Sequence, residues 1–324
     1  MNALAITGMT LLASLYVLSR SSSSVVDNLV KLSRFLHISQ ISIGLILLSV
    51  ATTLPELFIS VISSVSGQGA IAAGNLFGSN IANILLVLGG GAFFFGLKVS
   101  SANLREIGLL LLLTTAISAY IEFRGSVEGE VLGMVEGIVL IGVFCLYVWN
   151  VLSKKREMER NNGMISKAEA QKAFLLFGVG IIIVIVSAGF VVDSAVKIAE
   201  ISGVAESFIG ATIIAVGTSL PEMSVGLQAI RKRHYGIVLG DAIGSNVIDI
   251  TLILGISAAI DPIYVNLPIF SAALLFAIIA NMLLLYVSAV DKRLGRLGGA
   301  AFIAVYLLYL AVIFMLQLRE LAVS

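Results

Sequence analysis

The sequence predicts an all-α polytopic membrane protein with ten transmembrane helices arranged as two inverted five-helix repeats. Three observations carry that expectation. Of the 324 residues 59% are hydrophobic and 12% charged, with a mean hydropathy of +1.07; soluble domains run at roughly 45–50% apolar and about 25% charged. Long apolar runs recur between charged or Gly/Ser/Asn-rich breaks. The chain also aligns with itself at a fixed offset of 166 residues.

The same composition excludes other classes. With 20 Lys+Arg against 19 Asp+Glu the net charge is +1, so nothing favours nucleic acid or an acidic macromolecule, and no obligate protein partner is evident. The single cysteine, Cys145, lies within an apolar run, which excludes a disulfide framework or a cysteine zinc site and points to a lipid- or core-facing thiol. The partners expected are therefore the lipid bilayer and small ions.

A spanning helix needs about 20 mostly apolar residues. Such runs fall at about 3–20, 40–66, 70–97, 104–121, 129–151, 173–197, 206–230, 236–260, 266–288 and 298–318. The first, near Ala3 to Leu18, lacks the positive flank of a secretory signal and reads as a span. The segment Val25 to Ile38 after it is either a continuation of that helix or an interfacial piece. Continuous stretches such as Leu109–Leu113 and Ile181–Ile185 exclude the alternating pattern of a closed barrel.

Ten spans put both termini on one side. Placing them outside leaves 17 of the 20 Lys and Arg in cytoplasmic loops, with Arg124, Lys197 and Arg319 outside. That is the arrangement the positive-inside rule favours. Tyr147 and Trp149, just before the Lys154–Arg156 cluster, suit amphipathic rings at the inner interface. The protein is thus expected in the cell membrane. Residues 1–151 and 173–324 would form the N- and C-terminal five-helix repeats, and 152–172 a cytoplasmic linker, read as a solvated connector.

In the self-alignment, 25–89 matches 191–255 without a gap, and 21 of 65 positions are identical. Val25-Val26-Asp27 meets Val191-Val192-Asp193, Leu54-Pro55-Glu56 meets Leu220-Pro221-Glu222, and Gly78-Ser79-Asn80 meets Gly244-Ser245-Asn246. Five spans per copy is an odd number, so the second copy enters the membrane from the opposite side. Cytoplasmic Lys31 and Arg34 correspond to external Lys197 and Glu200, the Arg becoming an acid where the topology flips. Inverted repeats point to transport, because two equivalent halves that exchange conformations give alternating access to a midplane site.

Ionised carboxylates at the bilayer centre are costly unless they face a polar cavity or a partner. Glu56, Glu222 and Asp249 fall in the middle of spans 2, 7 and 8, with Asn83 at the position equivalent to Asp249. Each glutamate lies 27 residues before its Asn or Asp and stands beside a proline and two hydroxyls: Thr52, Thr53 and Pro55, then Thr218, Ser219 and Pro221. A proline deletes a helical hydrogen bond and frees a carbonyl one turn earlier. Together with Ser79 and Ser245 this is an all-oxygen, anionic ligand set without nearby His or Cys. It suits a hard cation such as Ca2+, with smaller subsets suiting Na+. Asn80 and Asn246 read equally well as ligands or as bridges between kinked helices. Gly74, Gly78 and Gly89 with Gly240, Gly244 and Gly255 read as close-packing positions.

Thr52-Thr53-Leu54-Pro55-Glu56 and Thr218-Ser219-Leu220-Pro221-Glu222, with Gly78-Ser79-Asn80-Ile81-Ala82-Asn83 and Gly244-Ser245-Asn246-Val247-Ile248-Asp249, resemble the two α-repeats of the cation/Ca2+ antiporter superfamily. Within it the chain resembles the prokaryotic sodium/calcium exchangers, whose ten-helix fold it covers almost end to end. The resemblance implies a secondary antiporter that exchanges Na+ for Ca2+; these ions are cargo, and no cofactor is expected. The proline-glutamate form argues for Na+ coupling, since the H+/Ca2+ branch carries Gly-Asn-Ala-x-Glu there. By the same resemblance Glu56 and Glu222, with the carbonyls of Thr52 and Thr218, hold Ca2+. Na+ uses these plus Ser79, Ser219, Ser245 and the Ala215 carbonyl, and Asn83 with Asp249 completes the central site. The first repeat departs from the pattern at Ala51, Thr53 and Ser49, where the second has Gly217, Ser219 and Ala215. These departures bear on ion selectivity.

An H+/Ca2+ antiporter is the alternative within transport, and a cation channel a more distant one, since channels place acids in rings by oligomeric symmetry. An intramembrane aspartyl protease would need paired aspartates, but Asp249 has only Asn83 opposite it, so the protein is not expected to be an enzyme. His37 and His234 fall in expected cytoplasmic loops. Asp241, opposite Asn75 in the repeat, reads as a helix-end charge or an access-pathway acid.

Overall fold

A backbone inside a bilayer has no water to bond, so it bonds itself, and helices are the open-ended way to do so. The computed structural model describes residues 3–99, 104–128, 130–153, 165–201, 217–264 and 267–323, and nearly all of them are helical. In chain order the helices are α1 (Ala3–Leu36), α2 (Gln40–Thr52), α3 (Leu54–Val65), α4 (69–95), α5 (Leu104–Glu128) and α6 (Met134–Ser153). They continue as α7 (Lys167–Ile201), α8 (Leu220–Arg231), α9 (Tyr235–Ile260), α10 (267–291) and α11 (Arg296–Val323).

Among the described residues seven helices are long and apolar enough to cross a membrane, and α1 with α2, bent by 117° between them, passes as an eighth. Helical residues lie in all ten expected spans. The span expected at 40–66 is divided at Thr53 into α2 and α3. Of the span expected at 206–230, residues 206–216 lie outside the described residues. The segment Val25 to Ile38 resolves as a continuation of the first helix, because α1 runs unbroken to Leu36.

Packing directions establish the inversion. Helices α1 and α7 are repeat equivalents and lie side by side. Leu32 and Leu36 line one pocket with Lys167 and Ala170, Gly180 abuts Val25, and Ala13 and Val17 line another pocket with Val186 and Phe190. Residue numbers rise on one helix as they fall on the other, so the copies run antiparallel. A two-fold axis relating them lies across the helices, in the plane of the bilayer. Helices α2 and α9, which are not equivalents, run parallel: Gly236 faces Gln40, Gly240 faces Leu45, and Gly244 faces Ser49.

The repeat persists in the turns. Between α3 and α4, Gln68 N donates to Ser63 O at 2.8 Å and Gly67 N to Ser64 O at 3.0 Å. Between α8 and α9, His234 N donates to Ala229 O at 2.8 Å and Arg233 N to Ile230 O at 2.9 Å. Both are Schellman-type closures. Gly67 takes the left-handed conformation, φ 71°, without a Cβ penalty, whereas Arg233 takes it at φ 64° against its steric preference.

Among the described residues, four short strands were not legible in the sequence. Strand β1 (Leu97–Lys98) pairs antiparallel with β4 (Arg293–Leu294), and β2 (Glu130–Leu132) with β3 (Ile263–Tyr264). Each pair joins a strand of one repeat to a strand of the other. Helix α5, 25 residues and so about 38 Å long, separates β1 from β2 in the chain. The two ribbons therefore sit at opposite ends of the bundle.

Burial sorts the helices. In α4 and α9, 78% of the spanning window is inside the protein, against 22% in α6 and α11. The outer helices present Leu112, Trp149 and Leu175 outward, and Cys145 is exposed on the same outer surface. Tyr147, expected with Trp149 at the interface, is instead turned inward and buried.

Candidate ion-binding site

The two helix breaks build the centre of the molecule. At Thr53 (φ −79°, ψ 1°) the chain leaves α2 and restarts as α3, with Pro55 in its first turn. At Ser219 (φ −89°, ψ 6°) it starts α8 with Pro221 in the same position. Proline fits the first helical turn, where its missing N–H is not needed and its fixed φ is already helical. Each glutamate follows its proline, so Glu56 and Glu222 occupy the first turns of α3 and α8. Both carboxyls lie at the positive ends of their own helices.

The inner helices α4 and α9 each carry a π-helical turn here, Asn83–Leu88 and Asp249–Ile253. Each turn begins at the residue singled out by the sequence. Such insertions widen the helix and shift its hydrogen-bond ladder, and they are frequent at functional sites.

Thr52, Glu56, Ser79, Asn83, Ser219, Glu222, Ser245 and Asp249 are all buried, Glu56 and Asp249 without exposed surface; Thr218 is half-buried at the α8 break. Ala215 lies outside the described residues. Charge interactions connect Glu222 with Glu56 and Asp249, and Asp249 with Glu56, which joins the three acids into one electrostatic cluster. The Ser79 and Ser219 hydroxyls are 3.3 Å apart across the repeats.

Asn80 and Asn246 act as bridges. The Asn246 Nδ2 donates to the Asn80 carbonyl at 3.0 Å, and the Asn80 Nδ2 returns the bond to the Asn246 carbonyl at 3.4 Å. This exchange between equivalent residues marks the two-fold axis. Asn83 Nδ2 donates to Asn246 Oδ1 at 3.2 Å.

What the site leaves open is acceptors. Both carboxyl oxygens of Glu56, Glu222 and Asp249, the Oδ1 atoms of Asn80 and Asn83, and the Ser245 hydroxyl are buried without a hydrogen-bond partner among the described residues. Among the described residues no Lys, Arg or His is buried with them. Buried carboxylates without compensation cost several kcal/mol each, so these oxygens call for cations. No three described Asp, Glu, His or Cys side chains come close enough to hold one metal ion between them. An ion here would complete its shell from hydroxyl, amide and carbonyl oxygens.

One residue left open by the sequence gains a definite place, and one feature was not read there. Asp241, which the sequence leaves between a helix-end charge and an access-pathway acid, is buried, accepts a hydrogen bond from Thr52 Oγ1 at 3.2 Å, and interacts electrostatically with Glu56 and Glu222. Ser60 and Ser64 follow Glu56 at four-residue intervals on the buried face of α3, and their hydroxyls have no partner among the described residues. The i, i+4, i+8 spacing was the available signal, since it places all three on one helix face.

A family model described as sodium/calcium exchanger protein matches residues 7–153 and 172–315. An uncharacterized membrane protein of Methanocaldococcus jannaschii is 34% identical over 282 residues, covering 87% of this chain and 89% of that one. The sodium/calcium exchanger MaX1 of Methanosarcina acetivorans is 27% identical over 342 residues, covering 94% and 97%. Among solved structures, the sodium-calcium exchanger NCX_Mj soaked with 10 mM Na+ and zero Ca2+ matches with a TM-score of 0.82 and 29% identity, over 95% of this chain and 99% of that chain.

Proposed function

Because the chain belongs to the sodium/calcium exchanger family, whose match runs through both repeats, we propose that it exchanges Na+ for Ca2+ by alternating access at the carboxylate cluster between α3, α4, α8 and α9. The observation that carries this reading is the set of six carboxyl oxygens on Glu56, Glu222 and Asp249, buried without partners among the described residues. A site of oxygen ligands alone suits hard cations, and Ca2+ takes six to eight such ligands in flexible geometry.

In this reading Glu56 and Glu222, with the Thr52 and Thr218 carbonyls, hold Ca2+. Na+ draws on these with Ser79, Ser219, Ser245 and the Ala215 carbonyl, and Asn83 and Asp249 complete the central position. Three ionised acids match three monovalent charges, while two suffice for Ca2+. The ions are cargo, and no covalent chemistry is involved. The equivalent halves, 1–151 and 173–324 joined by 152–172, support alternating access because each can adopt the other's conformation. The Lys and Arg distribution favours termini outside and residues 152–172 in the cytoplasm.

Purified protein in sealed vesicles tests the reading. An imposed Na+ gradient should drive Ca2+ in the opposite direction at fixed pH. Ca2+ movement that follows a pH gradient and ignores Na+ would favour the H+/Ca2+ alternative.

A further inference from the structure

Glu56, Glu222 and Asp249 are not the only acids in the site. Asp241 is 2% exposed, its charge acts on Glu56 and on Glu222, and among the described residues no Lys, Arg or His is buried beside it. Its place follows from the backbone. Helices α2 and α9 approach so closely that a Cβ on Gly44 would meet the Asp241 backbone N at 3.0 Å. From there the Asp241 side chain reaches the Thr52 hydroxyl, 3.2 Å away and one turn before Glu56. That hydroxyl carries one proton and is also 3.1 Å from the Leu48 carbonyl. Thr52 therefore satisfies the carboxyl only in part, and every remaining lone pair of an ionised Asp is an acceptor.

The repeat sharpens the point. The equivalent position in the first half is Asn75, of the same shape and without the charge. An amide would accept from a threonine hydroxyl equally well, so bridging alone does not require an acid. With Asp241 the cluster holds four acidic groups, one more than the three that the exchange reading uses.

We infer that Asp241 and Thr52 form a subsite for a monovalent cation, Na+ or K+, beside the exchange position, and that Asp241 sets the monovalent-ion dependence of transport. This rests on the exchange reading above. One carboxylate, one hydroxyl and nearby backbone oxygens make a shell of single negative charge. That charge balances one monovalent ion, whereas Ca2+ draws on more carboxylate.

The test is Asp241→Asn, which restores the chemistry of Asn75, in full-length protein reconstituted in vesicles. Ca2+ uptake is measured while Na+ is varied without K+, and again at fixed Na+ while K+ is varied. The half-saturating concentration of one monovalent ion should rise about tenfold, the scale of losing one charged ligand, a larger change than that in Ca2+ affinity; the arm that moves identifies the ion. Unchanged Na+ and K+ dependence would overturn the inference, leaving Asp241 a structural acid. Loss of Ca2+ binding as complete as in Glu222→Gln would also overturn it, making Asp241 a Ca2+ ligand. Should Asp241→Asn fail to fold, Asp241→Glu, which keeps the charge and moves it by one methylene, is read the same way. Wild-type protein whose Ca2+ flux ignores Na+ fails the exchange reading itself, a result visible before any variant is compared.

Discussion

Glu56 and Glu222 each open a helix behind a proline, and each brings to the centre of the bundle two oxygens unpartnered among the described residues. In the proposed reading, replacing either by Gln removes one of the two charges that balance Ca2+ without changing side-chain shape. Glu56→Gln and Glu222→Gln should abolish Ca2+ flux while the proteins still fold, as checked by gel filtration and vesicle transport. Asp249→Asn should keep appreciable Ca2+ binding and alter Na+ dependence, because its equivalent, Asn83, is already an amide; isothermal titration of Ca2+ decides the point. These three acids were legible because an ionisable side chain amid a long apolar run has few explanations. Asp241 was legible only as one of two alternatives, because it lies only six residues into α9, where sequence also suits a helix-end charge. Its burial comes from α2 lying alongside, through a contact with a residue 189 positions away in the chain.

At the scale of elements, the contact between α2 and α9 is backbone against backbone. A Cβ on Gly240 would overlap the Ile41 carbonyl and stand 2.9 Å from Leu45 N, and one on Gly244 would meet Leu45 O at 2.7 Å. At Gly240 every atom in the way is backbone, so the helices themselves would have to part. Gly240→Ala should therefore cost about 1–3 kcal/mol, the range of overpacking, and lower the thermal unfolding midpoint in detergent. Gly74→Ala, which meets nothing within 4 Å, should leave it unchanged. The sequence grouped six repeat glycines as packing positions. Gly89, Gly240, Gly244 and Gly255 are such positions, whereas Gly74 faces open space and Gly78 meets only the Tyr309 hydroxyl at 3.5 Å. A glycine's role depends on what stands opposite it, which a single repeat does not encode. The π turns at Asn83 and Asp249 were hidden for a similar reason, since one extra residue in a turn leaves an apolar pattern almost intact.

The whole molecule is two copies of one unit related by an axis through the Asn80–Asn246 exchange. That much followed from an offset of 166 residues and an odd number of spans. The strand pairs did not, because two or three residues carry no periodicity to read. Yet β1–β4 and β2–β3 clasp the two copies to each other at both ends of the bundle. Leu97 and Leu294 are directly paired, and Cα atoms in such a pair lie about 4.5–5.5 Å apart, within the reach of a disulfide. With Cys145 replaced by Ser, Leu97→Cys and Leu294→Cys should crosslink on oxidation without stopping Na+-driven Ca2+ flux; inhibition reversed by reductant would contradict this. Two leaves riveted along both the upper and the lower edge do not open like a book. A transport cycle that respects both rivets has its moving boundary inside each repeat, with part of every copy serving as frame and the remainder as the sliding piece.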